Sequence, residues 1–318
     1  MPRRDITKSS DATLIANAKR KLKLRDAPNT ELAYTHDITA FETFLEAHDV
    51  PPRMPVPNAV IALYLSSMDD ADYSLSTIDR ALAAICRIHR DAGFESPRKS
   101  PEVRGMLKGM KRDRLMLRKR ITPRQVDALL NTELAAVVGV LPQTTIGLRD
   151  RALILMGFAL GCRRSTLVAL DVEDITPGRN GWLNVNVRHF KTQSEDDPQI
   201  PRGASELTCP VRAYREWLRV SGITTGAVFR GVHGPTISEH RLAPIDVARI
   251  LARTVRIANM MGRYAGHSLR AGLATSAALA GKPEWQIAQK TGHKSVAQLR
   301  KYIRKAGKIG SDVADGLY

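Results

Sequence analysis

The sequence has few of the residues from which disulfide and metal sites are built. Its three cysteines, Cys86, Cys162 and Cys209, are widely spaced and form no CxxC pair. Isolated cysteines in odd number favour buried free thiols in a reducing compartment. No cysteine or carboxylate cluster accompanies the histidines near the C-terminus, so we expect no metal centre there.

Long apolar runs are also missing. No 18-residue apolar stretch occurs, and no apolar segment follows the opening Met-Pro-Arg-Arg. These features predict a soluble, cytoplasmic protein without a membrane span. There is no internal repeat, glycine-rich phosphate loop or low-complexity tract. With 43% hydrophobic and 25% charged residues, the composition is that of a globular protein.

Positive charge, by contrast, is in excess. Lys and Arg number 49 against 32 Asp and Glu, a formal net charge of +17. The excess is spread over both halves of the 318-residue chain, a length that suits two domains. Such a balance favours a polyanionic partner, since a basic surface gains affinity by releasing condensed counterions. A basic protein that is merely soluble is the alternative.

Periodicity predicts an all-helical domain over residues 26–110, preceded by a basic arm at residues 1–25. We expect Asn58 to cap its second helix and Ser100-Pro101 to begin its fourth. The predicted helices carry apolar stripes at Tyr34, Ile38, Phe41 and Leu45, at Ile61, Tyr64 and Leu65, at Ile78, Leu82 and Ile85, and at Val103, Leu107 and Met110.

Residues 111–121 are strongly basic and are predicted to link two domains. Between Arg104 and Arg120 there are eight basic residues and one acid. The segment fits two interpretations, a solvated linker or a basic strap along a phosphate backbone. The candidate DNA-binding residues are Lys111, Arg112, Arg114, Arg118, Lys119 and Arg120.

Residues 122–318 are predicted to form a second, mostly helical domain with a small antiparallel sheet. Thr122-Pro123-Arg124-Gln125 is a capping box that predicts a helix leading into Val126. A later apolar helix is expected from Asp150 to Leu160, ended by Gly161. Period-two alternation predicts strands at 182–187 and 199–201. From Cys209 onward only helices are expected, at about 211–220, 244–260, 267–280, 284–290 and 295–305, before a tail at 311–318.

The last helices contain residues suited to phosphodiester chemistry. His267 and Arg270 are spaced i, i+3, so an imidazole and a guanidinium share one helical face and can converge on a phosphate. Tyr302 lies beside the apolar stripe of its helix and among cations, where a phenolate nucleophile is favoured. A second arginine is expected at Arg163 or Arg164, and Lys191 can supply a proton to a leaving oxygen.

These residues resemble the motifs of the tyrosine recombinase (phage integrase) family, most closely those of its Cre-type two-domain members. The matching stretches are Gly161-Cys162-Arg163-Arg164-Ser165-Thr166-Leu167, Lys191-Thr192, His267-Ser268-Leu269-Arg270-Ala271-Gly272, Gly292-His293 and Tyr302-Ile303-Arg304. The resemblance covers about residues 121–305, and the helical domain before them looks like the family's core-binding domain.

The resemblance implies a site-specific recombinase that cleaves DNA through a 3′-phosphotyrosine and a Holliday junction. Tyr302 would be the nucleophile, and Lys191 would protonate the released 5′-oxygen. The other implied catalytic residues are Arg163, His267, Arg270 and His293. The resemblance also implies double-stranded DNA as partner, a homotetramer on two sites and no metal or other cofactor. Where the family usually carries a carboxylate, this chain has Thr166; the support that the carboxylate gives would come from elsewhere, such as Asp171 or Asp174, or be absent.

Two other functions fit the same residues. A type IB topoisomerase or a telomere resolvase would use the same tyrosine chemistry with a different outcome. A non-catalytic DNA-binding protein of the same fold is the second alternative. The target sequence and the need for accessory proteins cannot be read from the motifs, because base contacts depend on the placement of helices.

Overall fold

The computed structural model describes residues 28–119, 126–186, 198–292 and 299–300. The chain divides into two compact units, one ending at Arg124 and the other beginning at Gln125. The predicted arm, the capping box at 122–125, most of the helix at 295–305 and the tail at 311–318 lie outside the described residues. Over the described ranges, no helix combines the length and apolar character needed to cross a membrane.

The first unit is helical, as predicted. The Ser100 hydroxyl accepts a hydrogen bond from the Val103 amide, with Pro101 in the first helical turn, which confirms the predicted cap. The cap predicted at Asn58 is wrong: Asn58 begins the helix and Pro57 occupies the cap position. The helices of this unit are α1 (Pro28–Ala47), α2 (Asn58–Asp70), α3 (Leu75–Asp91) and α4 (Pro101–Met116).

Apolar side chains from all four helices form the core of the first unit, among them Phe41, Leu65, Leu82 and Val103. Ion pairs between helices surround this core. Planar guanidinium groups suit such pairs because they can donate two parallel hydrogen bonds to one carboxylate. The pairs join Arg80 to Asp37, Arg87 to Glu31 and Arg114 to Asp69.

The predicted basic linker requires correction at residues 111–116, which are the last turns of α4. Arg114 is buried, with 4% of its surface exposed. Its Nε donates to Asp69 at 2.6 Å and its terminal nitrogen donates to the Tyr73 carbonyl at 2.6 Å. Because these groups occupy the guanidinium inside the unit, the structure contradicts Arg114 as a DNA contact.

The second unit is also mainly helical. Its apolar helix ends at Gly161 as predicted, in the left-handed conformation (φ +57°) that favours glycine. That helix begins earlier than the sequence indicated, at Thr145, capped by the Thr144 hydroxyl. The helices are α5 (Leu134–Gly139), α6 (Thr145–Leu160), α7 (Arg164–Ala169), α8 (Pro210–Ser221), α9 (Pro244–Ile257), α10 (Ser268–Leu279) and α11 (Glu284–Thr291).

A small antiparallel sheet accompanies these helices, as predicted. It contains β1 (Ile175–Pro177), β2 (Leu183–Val185) and β3 (Gln199–Ile200) in the order β1-β2-β3. Leu183 lies opposite Ile200. Leu183, Val185 and Ile200 are buried in the main core of the second unit.

A hairpin of β4 (Arg230–His233) and β5 (Thr236–Arg241) overturns the prediction that only helices follow Cys209. Gly234 in its turn has a φ of +59°, a conformation that glycine adopts at little cost. Val232 pairs with Ile237, and both pack on the core. The strands carry so few apolar residues that period-two alternation is weak in the sequence.

Residues 126–130 form neither helix nor strand, so the helix predicted to lead into Val126 is not present there. The Leu129 amide donates to the Ser268 carbonyl at 3.1 Å. On α10, Gly272 comes so close that an added Cβ would lie 1.7 Å from the Leu129 carbonyl oxygen. Pairing with this distant part of the chain replaces local helix formation.

Candidate functional site

Three helix ends meet at Gly161. A Cβ added to this glycine would lie 2.6 Å from Leu273 of α10 and 3.1 Å from Thr291, the last residue of α11. Gly292, which follows Thr291, is also left-handed, with a φ of +64°. Two glycine-terminated helices thus bring their final carbonyls against the first turns of α10.

Arg270 occupies this junction. It lies in the first turn of α10 and exposes only 2% of its surface. One terminal nitrogen donates to the Gly161 carbonyl at 3.1 Å, although the two residues are 109 positions apart in the sequence. The same nitrogen donates to the Thr291 carbonyl. These bonds fix the guanidinium plane between the ends of α6 and α11.

His267 lies at the position that begins α10, and the residue is solvent-exposed. Partial burial of its ring, followed by the positive charges of Arg270 and Arg163, lowers the pKa of His267 below its ordinary value. The neutral imidazole is therefore favoured, and a neutral imidazole can accept a proton.

Arg163 is exposed and directly precedes α7. Its charge acts on His267, so the structure brings together the candidates Arg163, His267 and Arg270. Arg164 lies against the backbone before His267: a Cβ added to Gly266 would be 3.2 Å from its side chain. Both members of the arginine pair thus lie near His267, with Arg163 close enough to affect its titration.

The carboxylates expected to replace the one missing at Thr166 have contacts elsewhere. Asp171 binds Arg241 of β5 at 2.6 Å. Asp174 is buried and accepts a hydrogen bond from the Asp171 amide at 2.9 Å. These contacts support the loop after α7, and they do not include the Arg163 or His267 side chains.

Lys290 was missed by sequence reasoning, although it lies only two residues before the recognised motif Gly292-His293. Its ammonium donates to the Gln199 carbonyl on β3. Burial lowers the pKa of Lys290 to about 8, and the interaction with the nearby Cys162 acts in the opposite direction by raising it. Burial raises the pKa of Cys162 to about 12, so this thiol stays protonated at neutral pH.

Three predicted site residues, Lys191, His293 and Tyr302, lie outside the described residues. Arg120 of the basic segment does so as well. In the parts of the chain that the structure covers, no three His, Cys, Asp or Glu side chains come together as ligands for a metal ion.

The basic residues of α4 point in two directions. Arg114 faces the core, whereas the exposed cations of this helix have the spacing of one helical face. Sequence reasoning named candidate DNA-binding residues only after residue 110 and so missed the exposed Arg104 and Lys108. The exposed cations are Arg104, Lys108, Lys111 and Arg112, followed by Arg118 and Lys119.

Comparisons with known proteins agree on one family. The family model described as "Phage integrase family" matches residues 119–308. An integrase/recombinase xerD homolog of Selenomonas ruminantium is 30% identical over 314 residues, covering 96% of this chain and 90% of the relative. Tyrosine recombinase XerC of Syntrophus aciditrophicus is 26% identical, and 86% of each chain is covered.

Solved structures with the same fold include recombinases bound to DNA. A lambda integrase fragment in a dimer on a COC′ core site superposes with a TM-score of 0.63 and 16% identity, covering 95% of this chain and 98% of that one. XerH recombinase in a post-cleavage complex with a palindromic difH substrate gives a TM-score of 0.61 and 16% identity, over 90% of this chain and 79% of that one. At such identities the likeness concerns the fold.

Proposed function

We propose a mechanism for this chain, which belongs to the phage integrase family and is a tyrosine-type site-specific recombinase. It cleaves and rejoins DNA through a 3′-phosphotyrosine and a Holliday junction. The observation that carries the proposal is the meeting of Arg163, His267 and Arg270 at the junction of α6, α10 and α11. Two cations and a proton acceptor on one surface suit a phosphate whose negative charge grows in the transition state.

In this mechanism the Tyr302 oxygen attacks phosphorus, forming the O–P bond as the bond from phosphorus to the 5′-oxygen breaks. His267 accepts the phenol proton, which its lowered pKa permits at neutral pH. Lys191 donates a proton to the departing 5′-oxygen. Energy of the broken diester is retained in the phosphotyrosine, so attack by a 5′-hydroxyl reverses these steps.

The remaining site residues bind the phosphate. Arg163 and Arg270 hold its nonbridging oxygens, and His293 donates a hydrogen bond to the same group. The carbonyls of Gly161 and Thr291 fix the Arg270 fork, so the guanidinium does not have to be ordered when DNA binds.

DNA binding is assigned to both units. The exposed cations of α4, at 104, 108, 111 and 112, together with 118–119, contact the phosphate backbone without reading sequence. The same proposal includes a homotetramer on two sites, since strand exchange between two duplexes requires four cleavages. The proposal also locates the protein in the cytoplasm, at the nucleoid.

A nicked suicide duplex tests the chemistry. If the proposal holds, the native protein forms a covalent adduct with the 3′ end of the cleaved strand, and Tyr302→Phe binds the same duplex without forming it. An undiminished adduct with Tyr302→Phe, or none with the native protein, would contradict the mechanism. Relaxed plasmid without exchanged arms from a two-site substrate would favour the topoisomerase alternative.

A further inference from the structure

The end of α11 contains a cation to which the proposed mechanism gives no role. Lys290 directly precedes Thr291, whose carbonyl accepts a hydrogen bond from Arg270. The side chain is half-buried. An ammonium group loses hydration when it is partly buried, so its position requires compensating contacts.

One such contact is the carbonyl of Gln199. In the part of the second unit that the structure describes, β3 is the last strand of the three-stranded sheet, and Gln199 lies opposite Asn184 of β2. A strand at the edge of a sheet presents backbone groups that need partners outside the sheet. The Lys290 ammonium provides one by donating to the Gln199 carbonyl.

The same ammonium lies within electrostatic reach of the arginine site. Both Lys290 and Arg270 act on the buried Cys162 thiol, which directly precedes Arg163. The lowered pKa of Lys290, about 8, reflects the burial of this charge. The Lys290 ammonium thus contacts the sheet, and the carbonyl of the next residue, Thr291, contacts Arg270.

We propose that Lys290 is a positioning residue for DNA cleavage, fastening β3 to the end of α11 and so fixing the sheet relative to Arg270. This inference rests on the proposed function. The chain segment that joins β2 to β3 contains Lys191, the proposed general acid. The position of β3 therefore fixes one end of that segment. Cleavage depends strongly on how accurately the reacting groups are positioned.

Replacement of Lys290 by Met removes the donor while keeping a long unbranched side chain. With protein in excess over a nicked suicide duplex, Lys290→Met should form the covalent adduct about tenfold more slowly than the native protein, since small misplacements of reacting groups are costly. Its Kd for the uncleaved duplex should stay within about twofold, because the hydrogen bond does not involve DNA. Lys290→Arg, which keeps a charged donor, should recover part of the rate.

Lys282→Met is the matched control. Lys282 is exposed just before α11, so its loss changes the net charge equally and should leave the adduct rate unchanged. Hydrogen exchange measured by mass spectrometry adds a direct readout: the peptide containing Gln199 should exchange faster in Lys290→Met, with the thermal midpoint of unfolding preserved.

An adduct rate equal to that of the native protein in Lys290→Met would overturn the inference. So would a slower rate accompanied by an equal loss of duplex affinity or by unchanged exchange at β3. Absence of any adduct with the native protein would instead contradict the proposed function, so the two failures are distinguishable.

Discussion

The core of the first unit and the candidate site of the second unit use arginine in different ways. In the first unit, arginines such as Arg80 and Arg114 bind carboxylates on neighbouring helices, and each pair joins parts of the chain far apart in sequence. In the second unit, Arg163 and Arg270 come together near His267, and Arg270 binds the carbonyls of Gly161 and Thr291. Opposite charges meet in these pairs of the first unit, whereas like charges meet around His267; elsewhere in the second unit arginines also pair with carboxylates, as Arg241 does with Asp171.

This difference separates charges that stabilise the fold from charges assembled for a ligand. A carboxylate beside an arginine stabilises both groups in the absence of any other molecule. Carbonyls orient a guanidinium and leave its formal charge in place, so neighbouring groups respond to it. Burial lowers the pKa of His267, and the positive charges of Arg270 and Arg163 lower it further. An anion that binds there gains attraction from several cations at once.

The largest expected effect is on cleavage. Arg270→Met should slow adduct formation on a nicked suicide duplex by about 100- to 1,000-fold, the usual loss when one preorganised donor to transition-state charge is removed. Arg270→Lys keeps the charge but not the planar fork and should fall between Met and the native protein. A native rate in Arg270→Met would remove the arginine from the site and end the contrast between the units.

Arg114→Met should act on stability instead. Its loss leaves Asp69, whose side chain is only 14% exposed, without its buried partner, which should cost about 3 kcal/mol of unfolding free energy. Arg112→Met, on the exposed face of the same helix, is the matched control. It should preserve stability and reduce the salt dependence of DNA binding by about one unit of slope.

Urea unfolding and binding titrations at several salt concentrations measure these two effects. Equal stability losses in Arg114→Met and Arg112→Met would show that the buried pair contributes nothing beyond an exposed charge. If Arg114→Met slowed cleavage at a temperature where it is folded, the assignment of Arg114 to a structural role alone would fail.

The smallest effect concerns the titration of His267. Removing one of the nearby cations, in Arg163→Gln, should raise the pKa of His267 toward its ordinary value of 6.5, measured by NMR of the imidazole. Arg256→Gln, an exposed change on α9, should leave it in place. No rise in Arg163→Gln would show that the charge of Arg163 does not act on the imidazole, and would remove Arg163 from the group of charges around His267.

The sign of the associated stability change follows from linkage. Because the folded-state pKa of His267 lies below its unfolded value, the unfolded chain takes up this proton first as pH falls. The second unit therefore loses stability between about pH 6.5 and the lower folded pKa, and His267→Gln should remove that part of the loss.

Local patterns predicted much of this structure. Ser100-Pro101 and Gly161 marked helix boundaries because caps depend on adjacent residues, and the i, i+3 spacing placed His267 and Arg270 together. Arg114 was misread because its partner, Asp69, is 45 positions away. Lys290 was missed for a similar reason: its contact with Gln199 spans 91 positions. Single-sequence periodicity carries no record of such distant partners.

The close approach of Gly272 to Leu129 has a mechanical consequence. Residues 126–130 are the first described part of the second unit after the connection from the first, and they are attached to α10 by the Leu129–Ser268 hydrogen bond. An added Cβ at Gly272 would collide with the Leu129 carbonyl, so the two backbones are in direct contact with no room for a side chain between them. Any side chain at Gly272 would therefore push residues 126–130 away from the helix that carries Arg270.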